Sequence, residues 1–321
     1  MTVQPRVLIA RRVPAAVAER ARREFDALLA DTDMDADAVI RSATEHGMQA
    51  IFSGPKVRLT AAGVAALPET VRIIANSSVG TDHMDVEAAR KRGLIVTSTP
   101  GVLTDCTADL AFLLILAACR RLSEYAAIMR EGWRKPFGMP DNLGLRANGR
   151  TLGIVGMGRI GQAVAKRARA FDMKIHYHNR SRLPAEREQG AIFHARAEDM
   201  LPHCDFLSIN APASPETTGF LNATRIALLP DGAIVVNTAR GPLVDDEALI
   251  AALKSGKLRA AGLDVFTGEP KIHPGYASLP NTFLLPHLGS ATRETRNGMG
   301  FKALDNLDAF FASKPLPARV V

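Results

Sequence analysis

The chain has 321 residues, 47% of them hydrophobic and 23% charged. That length suits two domains of ordinary size, and its longest apolar run, residues 110–119, covers about half of a bilayer span, so no membrane partner is expected. The net charge is +7, but the arginines are spread along the chain and aromatics are only 5%, so nucleic acid is not expected as a partner and small anionic ligands are.

The N-terminal stretch MTVQPRVLIARR lacks the h-region and cleavage site of a signal peptide, which leads us to expect a cytoplasmic protein. Its apolar residues predict a strand over 6–10. A helix over 15–29, strands over 50–52 and 71–75, a helix over 85–92 and a strand over 94–96 follow. This alternation predicts a small parallel sheet covered by helices. A long helix is predicted over 104–130, and a Gly-, Pro- and Asn-rich loop over 132–149. Cys106, Cys119 and Cys204 form no C-x-x-C pair, so neither a disulfide framework nor a metal site is expected. His176 and His178 alternate on one predicted strand without a third ligand nearby in sequence.

Residues 151–170 read TLGIVGMGRIGQAVAKRARA. An apolar strand runs into Gly156-Met157-Gly158-Arg159-Ile160-Gly161, and a helical pattern follows. Gly156 permits the tight turn, Gly158 lets backbone approach a pyrophosphate, and Gly161 allows close helix–strand packing. The helix N-terminus offers free N–H groups to phosphate. The next strand, 173–178, ends at Asn179-Arg180-Ser181-Arg182, and Asn179 is 18 residues past Gly161. NAD sites place a carboxylate about there for the ribose 2′-hydroxyl. A neutral Asn followed by two arginines and a serine favours the 2′-phosphate of NADP(H), with NAD(H) still admitted. The alternative is a solvated basic turn.

Further strands are predicted over 205–209, 233–237, 260–264 and 282–285, with helices over 159–170, 222–229, 245–255 and 291–312. Ligands of open α/β sheets bind beyond the carboxyl ends of the strands. Those ends carry Asn210-Ala211-Pro212, Thr238-Ala239-Arg240, Asp264 with Glu269 beyond it, and His287. An Arg, a Glu and a His on one rim suit hydride transfer to a 2-oxo acid. The imidazole exchanges the proton, the carboxylate orients it, and the guanidinium binds and polarises the substrate. Taken singly, each has a structural alternative.

These residues resemble a known family, the D-isomer-specific 2-hydroxyacid dehydrogenases. The likeness covers nearly the whole chain. It rests on Ser78-Val79-Gly80-Thr81-Asp82, residues 104–110, the glycine motif, residues 237–241, Gly268-Glu269-Pro270 and residues 286–292. It implies Arg240, Glu269 and His287 as the catalytic set. Val79, Gly80, Arg240 and Ser290 would hold substrate, the first two through backbone N–H groups. It implies cofactor contacts at Thr107, Gly156, Gly158, Arg159, Ile160, Gly161, Asn179, Arg180, Ser181, Arg182, Ala211, Pro212, Thr217, Thr238, Ala239, Arg240, Asp264, His287 and Gly289. The fold class implied is α/β with two doubly wound parallel-sheet domains. A Rossmann domain, 100–289, is inserted into a flavodoxin-like substrate domain, 1–99 and 290–321. A homodimer joined through the nucleotide domains is implied as well.

Within the family the chain is most similar to NADPH-preferring glyoxylate/hydroxypyruvate reductases, through Val102-Leu103-Thr104-Asp105, Cys119-Arg120-Arg121-Leu122 and Thr295-Arg296-Asn297. A 2-ketogluconate reductase is the near alternative. A non-catalytic, NAD(P)H-sensing corepressor-like protein is the alternative from another class.

Overall fold

The structure, a computed structural model, describes residues 4–321. It divides into two units, one running up to Leu103 together with Ser290–Val321, the other Thr104–Gly289. In chain order the first holds β1 (Arg6–Ile9), α1 (Ala15–Glu24), β2 (Asp26–Leu29), α2 (Ala36–Glu45), β3 (Ala50–Ser53), α3 (Ala61–Ala66), β4 (Ile73–Asn76), α4 (Val86–Arg92) and β5 (Ile95–Thr97). The second holds α5 (Thr104–Cys119), α6 (Leu122–Arg130), β6 (Thr151–Val155), α7 (Arg159–Arg169), β7 (Lys174–His178), α8 (Ala185–Glu188), β8 (Ile192–His194), α9 (Ala197–Met200), β9 (Phe206–Ile209), α10 (Ala223–Leu228), β10 (Ala233–Asn237), α11 (Asp246–Ser255), β11 (Leu258–Leu263) and β12 (Thr282–Leu284). The last helix, α12 (Arg293–Phe311), belongs to the first unit.

The first unit's five strands are all parallel, in the order β2-β1-β3-β4-β5. This is the flavodoxin-like doubly wound order. Its central strands are continuous apolar runs because both faces are covered. Leu8, Ile51 and Ile74 pack with Val39 and Ala43 of α2 on one face. Ile9, Phe52 and Ile73 pack with Val17 of α1 and Leu304 and Leu307 of α12 on the other. The two-residue period of a strand sorts neighbours to opposite cores.

The second unit's seven strands are also parallel, in the order β12-β11-β10-β9-β6-β7-β8. The order reverses between β6 and β9, and that switch point is where a doubly wound sheet takes its ligand. Helices are started by local caps: the Asp245 side chain accepts from the Ala248 N–H at 3.1 Å to open α11, worth about 1 kcal/mol.

Several expected elements differ. The helix expected over 15–29 ends at Glu24, because Phe25 turns to extended backbone (φ −134, ψ 157) and the next four residues pair with β1 as an edge strand. The helix expected over 104–130 breaks at Arg121, whose φ of 55 is left-handed. Helices α2 and α3, not expected from apolar spacing, begin at side-chain caps on Asp35 and Thr60. Residues 183–203 fold as α8, β8 and α9, elements of three or four residues each, too short for periodicity to register.

Candidate active site

The glycine turn follows β6 as a tight bend. Gly156 has φ +91, and a Cβ there would meet the Ala211 N at 2.6 Å. Glycine therefore lets the turn lie against the chain leaving β9. A Cβ on Gly161 would stand 2.3 Å from the Gly156 carbonyl oxygen, so α7 packs onto the turn only with glycine. A Cβ on Gly158 would meet nothing within 4 Å. Open space there, at the start of an eleven-residue helix, is where phosphate would meet the first N–H groups, those of Arg159 and Ile160.

Asn179, at the end of β7, accepts from the Met157 N–H through Oδ1 at 2.7 Å. Its oxygen is thereby committed to the glycine turn, leaving the amide N–H₂ as the donor. Arg182 places Nε and Nη2 on the two oxygens of Glu188, at 2.9 and 3.0 Å. Glu188 is buried and also accepts from the Tyr177 hydroxyl at 2.6 Å. Arg180 forms no ion pair among the described residues, although Glu216 lies within its electrostatic reach. The two arginines that looked equivalent in the sequence are thus unequal: one is braced and one is unbraced. Neither Glu188 nor Tyr177 carries a sequence signal for this role, since the pair depends on an unforeseen short helix.

Along the same edge, Asn210 follows β9 and Thr238 follows β10. Asn210 Oδ1 and Thr238 Oγ1 are buried without a hydrogen-bond partner. Orphaned buried polar atoms are uncommon, and these two fit a rim awaiting the polar groups of a dinucleotide. Thr217 instead locks its own turn, donating to the Pro212 carbonyl at 2.8 Å and accepting from the Ser214 N–H at 2.8 Å. Thr107 donates to the Gly289 carbonyl at 3.1 Å.

Asn237 shapes the Arg240 loop. Its Oδ1 accepts from the Ala239 N–H at 3.0 Å, and its Nδ2 donates to the Arg240 carbonyl at 2.8 Å. The next residue must be glycine, because a Cβ on Gly241 would lie 1.9 Å from the Phe266 carbonyl carbon. That contact seats the Arg240 loop against the 266–269 loop. There, Glu269 Oε1 accepts from the Phe266 N–H at 2.8 Å, and Oε2 meets His287 Nδ1 at 2.7 Å. Burial opposes the Glu269 charge. The hydrogen bonds from His287 and Phe266, with the positive charges of His287 and Arg240, outweigh it and hold the carboxyl below its usual value. With Nδ1 bonded to the carboxylate, Nε2 is the ring atom left for proton exchange.

Asp264 builds the turn that carries His287. Its carbonyl accepts from the His287 N–H at 2.8 Å, and its carboxylate oxygens accept from the Leu288 and Gly289 N–H groups at 2.6 and 2.8 Å. These three bonds fix a backbone in which His287 has φ 57. Burial raises the Asp264 pKa, against those two amides. Asp264 was expected at the cofactor, and its carboxylate oxygens here accept from the turn that carries His287.

In the first unit, Val79 and Gly80 lie on the turn after β4. Asn76 Nδ2 and Ser78 Oγ both donate to the Gly80 carbonyl, at 3.0 and 2.7 Å, and the Thr99 N–H donates to the Ser78 carbonyl at 3.0 Å. The turn's carbonyls are thus held, while the N–H groups of Val79 and Gly80 make no hydrogen bond among the described residues. Ser290, also in this unit, accepts through its carbonyl from the Thr292 N–H at 3.0 Å.

A family model described as "D-isomer specific 2-hydroxyacid dehydrogenase, NAD binding domain" matches residues 112–289. The chain belongs to this family. The match spans the glycine turn, Arg240, Glu269 and His287. Similar relatives agree on the chemistry of the D-2-hydroxyacid dehydrogenases. A glycerate dehydrogenase of Hyphomicrobium methylovorum is 41% identical over 95% of this chain and 96% of that protein. A glyoxylate reductase of Thermococcus litoralis is 46% identical over 78% of this chain and 77% of its own length. A solved NADPH-dependent glyoxylate/hydroxypyruvate reductase of Sinorhizobium meliloti, in complex with NADP and malonate, superposes with TM-score 0.88 at 34% identity, covering 99% of this chain and 97% of that one. This D-2-hydroxyacid dehydrogenase is an oxidoreductase of the 2-oxo/2-hydroxy acid pair with a nicotinamide dinucleotide-binding domain. No helix among its described residues is long and apolar enough to cross a membrane.

Proposed function

We propose that the enzyme reduces small 2-oxo acids, glyoxylate and hydroxypyruvate, to the hydroxy acids with NADPH. The observation that carries this reading is the Glu269–His287 pair at 2.7 Å, beside the Arg240 loop and on the same strand edge as the glycine turn. The reduced nicotinamide supplies the hydride. Arg240 holds the substrate carboxylate and draws charge onto the carbonyl oxygen. His287 Nε2 gives that oxygen its proton, and Glu269 steadies the imidazolium until it has done so. The Val79 and Gly80 N–H groups bind the carboxylate. Asp264 acts through the turn it holds, and Thr107 does so by fixing the Gly289 carbonyl.

Preference for NADPH rests on Asn179 and Arg180. An amide donor and an unbraced guanidinium stand where NAD sites carry an acid. The enzyme works in the cytoplasm as a homodimer joined through the nucleotide-binding units, with substrate-binding residues from 1–99 and 290–321.

Initial rates with NADPH and NADH against glyoxylate, hydroxypyruvate and 2-ketogluconate test this, in wild type and Arg180→Ala. We expect NADPH-linked turnover of the two small acids. Arg180→Ala should raise the KM for NADPH about tenfold, as loss of a charge-assisted bond does, and leave that for NADH nearly unchanged. Turnover confined to 2-ketogluconate would replace the substrate, and equal effects on both cofactors would refute the 2′-phosphate reading.

A further inference from the structure

The first unit holds a cation that the mechanism above does not use. Arg11 leaves the carboxyl end of β1 and crosses the end of β3, its Nη1 donating to Ser77 Oγ at 3.2 Å. Ser77 is fixed in turn, since its hydroxyl donates to the Ser53 carbonyl at 2.8 Å. Two residues beyond Ser77 the chain reaches Val79, whose N–H, like that of Gly80, makes no hydrogen bond among the described residues. The crossing point is Gly54, where a Cβ would stand 2.3 Å from Arg11 Nη1 and 3.1 Å from its Cδ and Cζ. The Gly54 backbone is not left-handed, so the absence of a side chain there serves the passage of the guanidinium and not a turn, and a Cβ would push the guanidinium aside.

Arg11 is short of countercharge. It forms no ion pair among the described residues. Burial weighs against its charge, Asp33 offsets this only from beyond ion-pair distance, and Arg296 adds repulsion. An under-compensated, half-buried cation is costly unless something anionic completes it. β1 and β3 also flank the switch point of this sheet, the place where flavodoxin-like folds take ligands.

We propose that Arg11 determines substrate specificity, supplying from behind the 77–80 turn the charge that makes its two N–H groups select a carboxylate. This rests on the reading that the turn binds the acid end of the substrate. The guanidinium acts across Ser77 as a fixed charge, and an anion at the turn is the countercharge it lacks. Substrates without a carboxylate gain nothing from it.

The test compares each 2-oxo acid with its neutral methyl ester in wild type, Arg11→Met, Arg11→Lys and Gly54→Ala. Arg11→Met should raise the KM for glyoxylate about tenfold, leave the KM for its methyl ester and for NADPH within about twofold, and change kcat little. Arg11→Lys should recover part of the loss. Gly54→Ala, which displaces the guanidinium without removing it, should lower acid-over-ester selectivity in the same direction. Equal changes for acid and ester, or none for either, would overturn the role of Arg11. Failure of the underlying reading would look different: wild type itself would accept ester as well as acid, or Arg240→Ala would keep full turnover.

Discussion

In the proposed reaction His287 needs both its ring and its backbone set, and each is set by a different neighbour. Glu269 fixes the ring nitrogen at 2.7 Å, while Asp264 fixes the backbone through three amides. Removing the proton donor should therefore be severe: His287→Asn should lower reductive kcat by about 10²–10⁴-fold with the KM for NADPH retained, and a loss under tenfold would discard the role. Glu269→Gln should be milder: the Glu269 carboxyl, held below its usual value, stays charged through neutral pH, and exchanging that charge-assisted bond for a neutral one should lower reductive kcat about tenfold with the KM for NADPH retained. An unchanged kcat would discard the orienting role of the 2.7 Å contact. Arg240, Glu269 and His287 could be read in the sequence because each follows an apolar strand on one rim. Arg11 could not. Its meaning depends on Gly54 and Ser77, which lie 43 and 66 residues away in sequence and meet it only once three strands are side by side.

Elements long enough to bury a stripe or fill a sheet interior announced themselves. β6 and β10 matched their expected bounds, and α7 its start, because apolar runs and a glycine boundary define them. Edge elements did not. β2 and β8 are half-solvated, and Ile192 of β8 is 51% exposed, so no apolar run marks them. That edge nevertheless carries its own chemistry. His176 Nδ1 and His194 Nε2 share a hydrogen bond at 2.9 Å, and the rings of His176, His194 and His203 lie 5.1–5.9 Å apart. Burial, then neighbouring positive charge from histidines and Lys174, lowers the His176 pKa. Burial and nearby histidines lower that of His194, against Asp199. A base with depressed pKa favours the folded state above its unfolded value, about 6.5, and that stability is lost as pH falls through the folded value. Melting temperature should thus decline from pH 7 to pH 5, and His176→Asn should flatten the decline by about 2–4 °C. Parallel pH curves for the two proteins would show that the cluster does not couple to folding.

Seven large apolar side chains between residues 113 and 143 of the nucleotide-binding unit stand in solvent: Leu113, Leu122, Met129, Trp133, Phe137, Met139 and Leu143. A lone chain rarely exposes so much apolar surface in one stretch, which supports the proposed homodimer. Light scattering should give twice the 34.5 kDa chain mass, and Met129→Glu with Trp133→Glu should return it to one. A wild-type monomer would refute the dimer. The strand order has a separate consequence. β6, β7 and β8 form one wing of the sheet and β9 to β12 the other. The groups proposed to read the adenosine end sit on the first wing, and Arg240, Glu269 and His287 sit on the second. The two sets share no residue and no hydrogen bond among those described. An engineer, or natural selection, can rewrite the turn after β7 to exchange one dinucleotide for another while the reacting end stays as it is, so the redox couple that drives the enzyme and the acid it consumes are separately heritable traits.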